Sequence, residues 1–277
     1  MDIRIGSIVE KFIDLLLVYF GSFFEMVSQV VGNFMAQTEE MFLALPPLVI
    51  ILLFVGIAWL LADKKVATFT LVGLLLIFSM GLWTPTIQTF VLVFVATVIS
   101  LLLGIPMGIL MSNNDFLDKL LTPVLDFMQT MPPFVYLIPA VMFFGIGNVP
   151  GIMATVIFSM PPAIRLTKLG LSQVPSELEE VGHSFGSNPW QMLLKIKLPL
   201  ALPAIMTGIN QSIMLSLSMV VIASMIGASG LGAQVLNGIQ RMEIGVGFEA
   251  GLAVVILAII LDRVTSGISQ SSDRVSS

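Results

Sequence analysis

The chain contains no cysteine and one histidine, His183. Without thiols it forms no disulfide and no cysteine-based metal or redox site. One imidazole cannot build a histidine-rich metal centre, and no nucleophile–base pair surrounds it, so no catalytic residue and no metal site is expected. Charge is scarce too. Asp, Glu, Lys and Arg make up 10% of the 277 residues, where soluble domains carry about 25%. So few charges cannot cover a water-facing surface. With 57% apolar residues and a mean hydropathy of +1.03, the chain reads as an integral membrane protein. The net charge of −5 comes largely from the N-terminal stretch and gives no basic footprint for nucleic acid. No Gly-x4-Gly-Lys-[Ser/Thr] sequence occurs, so ATP is not bound by that route. The apolar runs hold no ionisable residue well inside them, which argues against an ion relay. The first residues mix charges and lack the basic start of a cleavable signal. Energy for any transport must come from a partner, or transport is passive.

What is present is a series of hydrophobic runs. The pattern predicts an all-α polytopic membrane protein with about seven spans, near 46–62, 67–83, 86–111, 132–147, 149–168, 200–226 and 248–262. Residues 1–44 are amphipathic, with Ile5, Ile8, Val9, Phe12, Ile13, Leu16 and Phe20 at helical spacing. They predict a helix lying in the membrane interface or packed on the bundle. Pro132–Pro133 and Pro161–Pro162 predict broken helices beside a solute path. Asn113 or Asn114 is placed to cap a helix starting near Asp115. Trp59 and Trp83 are expected at the membrane interface. Residues 266–277 are polar and read as a disordered tail.

Orientation follows from basic residues. With 175–199 in the cytoplasm, Lys64, Lys65, Lys119, Arg165, Lys168, Lys195, Lys197, Arg263 and Arg274 are inside. Only Arg4, Lys11 and Arg241 are outside. The N-terminus is then outside and the C-terminus cytoplasmic. The N-terminal segment carries Asp2, Glu10, Asp14, Glu25, Glu39 and Glu40 outward.

The longest polar interruption, within residues 175–203, predicts two short helices joined by a turn. Ser176 and Glu179 fit a capping box, and Val174, Leu178, Val181 and Phe185 form an apolar face. Gly186 suits the left-handed residue ending the first helix. Asn188 suits the N-cap of the second, with Pro189 at its first position. His183 reads as an exposed loop residue.

Glu180, Gly186, Ile196, Leu198 and Pro199 stand in the pattern Glu-x5-Gly-x9-Ile-x-Leu-Pro. This resembles the EAA motif of bacterial ABC importer permeases, with Val181 and Gly182 where two alanines are usual. The stretches 125–151, 158–175 and 208–232 further resemble the quaternary-amine (ProW/OpuAB-type) permeases of glycine betaine and proline importers, over roughly residues 60–265.

The resemblance implies a type I ABC importer transmembrane domain over 45–265, in the bacterial cell membrane. It implies a coupling loop docked on a cytoplasmic ABC ATPase dimer, with Glu179, Glu180, Gly186, Pro189, Trp190, Ile196, Leu198 and Pro199 as coupling residues. Leu198–Pro199 is expected to end that lever where the next span begins. The expected partners are a second copy of the chain, the ATPase dimer, a separate extracytoplasmic solute-binding protein and membrane lipid. No cofactor is expected on this chain, and ATP and Mg belong to the ATPase.

Thr207, Gln211, Met214 and Ser218 follow helical spacing and are candidates for a weakly polar path or for helix–helix hydrogen bonding; Asn210 could start a second row. Gln129 and Tyr136 are further candidates for the path. Gly227, Gly230 and Gly232, in the Gly-rich stretch 227–247, read as turn positions of a plain loop, or of an outer gate or receptor contact. The leading reading is a permease subunit, not an enzyme, of an osmoprotectant importer. Alternatives are a permease for choline, carnitine or an amino acid, or a stand-alone channel or secondary carrier.

Overall fold

The computed structural model describes residues 5–276. Asp2 and Arg4 lie outside the described residues, as do the side chains of Ile5, Ile8, Val9, Phe12 and Arg274. The described chain is helical throughout. In order run α1 (Ile5–Leu43), α2 (Pro47–Leu61), α3 (Lys64–Ser79), α4 (Trp83–Asn113), α5 (Asp115–Thr130) and α6 (Pro133–Phe144). They are followed by α7 (Asn148–Ser172), α8 (Ser176–Ser184), α9 (Pro189–Met192), α10 (Leu198–Ser224), α11 (Leu231–Arg241) and α12 (Ile244–Ser276).

Local chemistry sets the boundaries. Pro47 opens α2 at its first position, where a missing N–H costs nothing. Asp63 caps α3 by accepting from Val66 N–H at 2.8 Å. Asn114 caps α5, accepting from Phe116 N–H at 3.0 Å and Leu117 N–H at 3.2 Å.

Helices α4, α7 and α10 form the centre of the bundle. Small residues let them approach closely. A Cβ added to Gly108 would lie 2.6 Å from the Ile164 carbonyl oxygen. Buried hydroxyls join the same helices: Ser100 and Ser159 lie 2.9 Å apart, and Thr97 donates to Ser216 at 3.4 Å.

Several expectations are corrected. Among the described residues, five stretches are long and apolar enough to cross a membrane: Ile13–Leu43, Trp83–Asn113, Asn148–Ser172, Pro189–Ser224 and Ile244–Gly267. A sixth is added if the bent pair α5–α6 counts as one. Helices α2 and α3, with 15 and 16 residues, reach only about 22–24 Å at 1.5 Å per residue. They pack on one another and on α12. The N-terminal stretch takes the second of its two expected arrangements, as a single 39-residue helix packed on the bundle. Phe24 stacks on Phe143 at 4.5 Å, Met35 is buried, and Gln88 donates to Glu39 at 2.9 Å.

Pro132–Pro133 does break the chain, with a 105° bend between α5 and α6. Pro161–Pro162 does not. Helix α7 runs through both prolines, which are buried in its packing against its neighbours. Trp83 opens α4 and is buried against Phe78, whereas Trp59, near the end of α2, is exposed. The C-terminal stretch continues α12 as helix to Ser276.

Candidate coupling loop, path and far corner

The polar stretch between α7 and α10 folds as an elbow. Pro175, not Ser176, occupies the N-cap of α8, and no side chain caps that end. The expected Ser176–Glu179 box is therefore absent. Glu179 instead reaches across the elbow to Lys197, with Oε1 2.9 Å from Nζ.

At the other end of α8 the glycine expectation holds. Gly186 has φ +75°, its N–H donates to His183 O at 2.9 Å, and Ser187 N–H donates to Gly182 O at 3.0 Å. That closes the helix as a Schellman motif. Asn188 then caps α9. Its Oδ1 accepts from Gln191 N–H at 2.8 Å, and Gln191 Oε1 accepts from Asn188 N–H at 3.0 Å. Gln191 is the residue that sequence reading missed here, although Asn-x-x-Gln is a capping-box spacing.

The second short helix does not stand apart from the following span. From Pro189 the chain stays helical to Ser224, passing through a π-helical turn at Leu193–Lys197. Pro199 explains the turn. It has no N–H for the preceding turn, and its ring needs room beside that carbonyl. Leu198–Pro199 thus sits inside a continuous helix and does not end the lever. Ile196 and Leu198 are half-buried, and Pro199 is exposed.

The elbow's interior is small. Met192 is buried against Gly182, where an added Cβ would lie 2.7 Å from both Met192 Cε and Ile196 Cδ1. Gly182, which stands where the resembled motif usually has alanine, thus admits the Met192 side chain. Outside, the apolar stripe emerges from the protein. Val174 is buried, Leu178 and Val181 are exposed, and Phe185 is 86% exposed, with Trp190 beside the turn 71% exposed. Glu180 is exposed and, among the described residues, its carboxylate has no partner. A groove of ≈ 510 Å³ separates the elbow from the end of α4, walled by Leu110, Asn113, His183, Trp190 and Lys197. Two ion pairs hold α5 to the elbow end of α7: Arg165–Asp126 at 2.5 Å and Lys168–Asp118. Phe185 and Trp190 thus leave two large aromatic side chains exposed on the elbow.

Along α10, Thr207, Gln211, Met214 and Ser218 are all exposed on one side. Thr207 and Ser218 hydroxyls donate back to Pro203 O at 2.9 Å and Met214 O at 3.0 Å. Asn210 is turned away from that row. Its Nδ2 donates to Asp262 at 3.0 Å, and its Oδ1 accepts from the Thr265 hydroxyl at 2.7 Å, joining α10 to α12. Gln129 is exposed on α5. Tyr136 is buried on α6, its hydroxyl donating to Met128 O across the bend.

At the far end from the elbow, the three glycines separate. Gly227 and Gly230 have φ of +91° and +112°, as turn positions require. Gly232 is not a turn residue. It lies in α11, where an added Cβ would be 2.3 Å from Val220 O. The stretch 227–247 is therefore a helix flanked by turns, not a loop.

A bundle of long apolar helices carrying an exposed polar elbow has the form of the membrane subunit of a transporter. The profile of the family described as "Binding-protein-dependent transport system inner membrane component" matches residues 100–274. The chain belongs to that family: it is a multi-pass permease of the bacterial inner membrane, and ATP hydrolysis resides in a separate subunit.

OpuAB of Bacillus subtilis (strain 168), a glycine betaine transport system permease protein, is 46% identical over 266 residues, covering 96% of this chain and 94% of its own. GbuB of Listeria monocytogenes, a glycine betaine/carnitine transport permease protein, is 49% identical over 274 residues, covering 98% and 97%. ProW of Escherichia coli (strain K12), a glycine betaine/proline betaine permease protein, is 45% identical, covering 98% and 76%. The fold is that of type I ABC importers. The inward-facing MetNI methionine transporter aligns with a TM-score of 0.63 at 21% identity, covering 69% of this chain and 95% of that one. An amino acid ABC transporter aligns with a TM-score of 0.55 at 21% identity, covering 71% and 97%. Permeases of this family work with an ATPase and a binding protein.

Proposed function

We propose that the chain is the permease subunit of an ATP-driven importer of glycine betaine and related quaternary amines, serving osmoprotection. The observation that carries this reading is near-full-length identity of 45–49% to permeases named for glycine betaine. The transport unit contains two copies of this chain as domain 45–265, a cytoplasmic ATPase dimer that binds ATP and Mg, and a separate extracytoplasmic receptor.

The elbow 175–199 faces the cytoplasm and couples the two machines. Phe185 and Trp190 enter a groove of the ATPase, while Glu180 contributes a charge-assisted hydrogen bond to it. Glu179, Gly186 and Pro189 shape the knob, and Ile196, Leu198 and Pro199 carry its displacement into α10. ATPase closure then tilts the spans and exposes the path on alternate sides. Thr207, Gln211, Met214 and Ser218 line that path, with Gln129 near its entrance.

Carnitine is the second candidate solute, favoured by the 49% identity to a glycine betaine/carnitine permease. The test is uptake by proteoliposomes containing permease, ATPase and receptor. ATP-dependent accumulation of labelled glycine betaine is expected, with unlabelled carnitine as competitor. Accumulation without ATPase, or none with all three present, overturns the reading.

A further inference from the structure

Helix α7 runs from Asn148 to the elbow, about 37 Å at 1.5 Å per residue. Its first residue is tied to the corner between α10 and α11. Asn148 Oδ1 accepts from Ser229 N–H at 2.7 Å and from the Ser229 hydroxyl at 3.1 Å. The backbone N–H can only donate, so the carboxamide must present its oxygen. Beside it, Gly147 N–H donates to Ile226 O at 2.9 Å. Two residues beyond Ser229, Leu231 N–H donates to the buried Thr89 hydroxyl oxygen at 2.8 Å, which brings in α4. Gly230 sits so close that an added Cβ would lie 2.5 Å from Thr89 Oγ1. All three central helices are thereby fastened at the end opposite the elbow.

We infer that Asn148 is a positioning residue for transport: through one side-chain oxygen it keeps the far ends of α7 and α10 joined throughout the cycle. Displacement of the elbow is then delivered at the far end as a rigid movement, without being lost in bending between helices. The inference rests on the importer reading above. A closed bond that never opens is what separates it from a gate that parts at Ser229.

The chemistry selects the variants. Asp at 148 presents the same acceptor oxygen and suits a helix N-terminus, so Asn148→Asp keeps the fastening. Asn148→Leu and Thr89→Val each leave a backbone N–H without its acceptor, whereas Thr89→Ser retains one. In proteoliposomes with ATPase and receptor, Asn148→Leu and Thr89→Val are expected to take up about fivefold less glycine betaine per ATP hydrolysed. Asn148→Asp and Thr89→Ser are expected to stay within about twofold of wild type.

The absence of native cysteine permits a reversible check. Asn148→Cys combined with Ser229→Cys is expected to couple poorly when reduced and to recover when oxidised to the disulfide. Recovery on oxidation also shows that the double variant is folded. Full coupling of Asn148→Leu, failure of Asn148→Asp to couple, or loss of transport on oxidation overturns the proposal. Wild-type complex that accumulates no betaine overturns the importer reading itself, before any variant is compared.

Discussion

Lys197 Nζ lies 2.9 Å from Glu179 Oε1, so the ammonium of the π-helical turn grips the carboxylate of α8 across the elbow. Both side chains are partly exposed, so the pair adds only about 0.2–1 kcal/mol. Its value is geometric: it makes α8 and the start of α10 move together. Glu179→Gln and Lys197→Met are each expected to lower ATP-driven uptake about two- to fivefold. The charge-swapped pair Glu179→Lys with Lys197→Glu should recover most of it. Uptake assays on the four proteins form the cycle that checks this.

Phe185 is exposed on the elbow, so its side chain contributes little to the permease fold. If the elbow docks on an ATPase, truncation costs binding and not folding. Phe185→Ala should weaken ATPase association by at least about 30-fold, the size of a binding hot spot. Thermal unfolding of the isolated permease should be unchanged. Titration of detergent-solubilised permease with ATPase, beside a melting curve, separates the two effects.

Two glycines that look alike in sequence differ in what surrounds them. A Cβ at Gly182 meets the flexible ends of Met192 and Ile196, whereas one at Gly108 meets the Ile164 backbone oxygen. Gly182→Ala is therefore expected to be close to neutral, since ~1 kcal/mol of helix propensity offsets a small side-chain shift. Gly108→Ala should destabilise by about 1–3 kcal/mol, because a helix axis must move. Comparison of melting temperatures in detergent tests the order.

The sequence revealed the membrane class, the end of α8 and the start of α9, because those features rest on local chemistry. Gly186 and Asn188 act within one turn of their own positions, and hydrophobic runs announce spans directly. Other features resisted for physical reasons. Pro161–Pro162 looks like a break, but packing against neighbouring helices carries α7 through it. Helix α11 was hidden because Gly230 and Gly232 read as turn residues, whereas Gly232 serves helix–helix approach. The Asn148–Ser229 and Glu39–Gln88 bonds join residues 81 and 49 positions apart, and no local pattern marks such pairs.

Asn210 provides the sharpest separation of path from scaffold. In sequence it adjoins the row of Thr207, Gln211, Met214 and Ser218, but its carboxamide bridges Asp262 and Thr265 on α12. Asn210→Leu removes the amide donor that Asp262 accepts from at 3.0 Å, leaving, among the described residues, Arg263 at 3.9 Å. The cost should be about 1–3 kcal/mol, read as a lower melting temperature. Asn210→Leu combined with Asp262→Leu should recover part of that loss, because two apolar side chains leave no carboxylate unpaired. A path residue behaves differently: Gln211→Leu should leave the melting temperature unchanged and alter the solute concentration for half-maximal uptake. An Asn210→Leu variant with wild-type stability and shifted solute dependence would return Asn210 to the path.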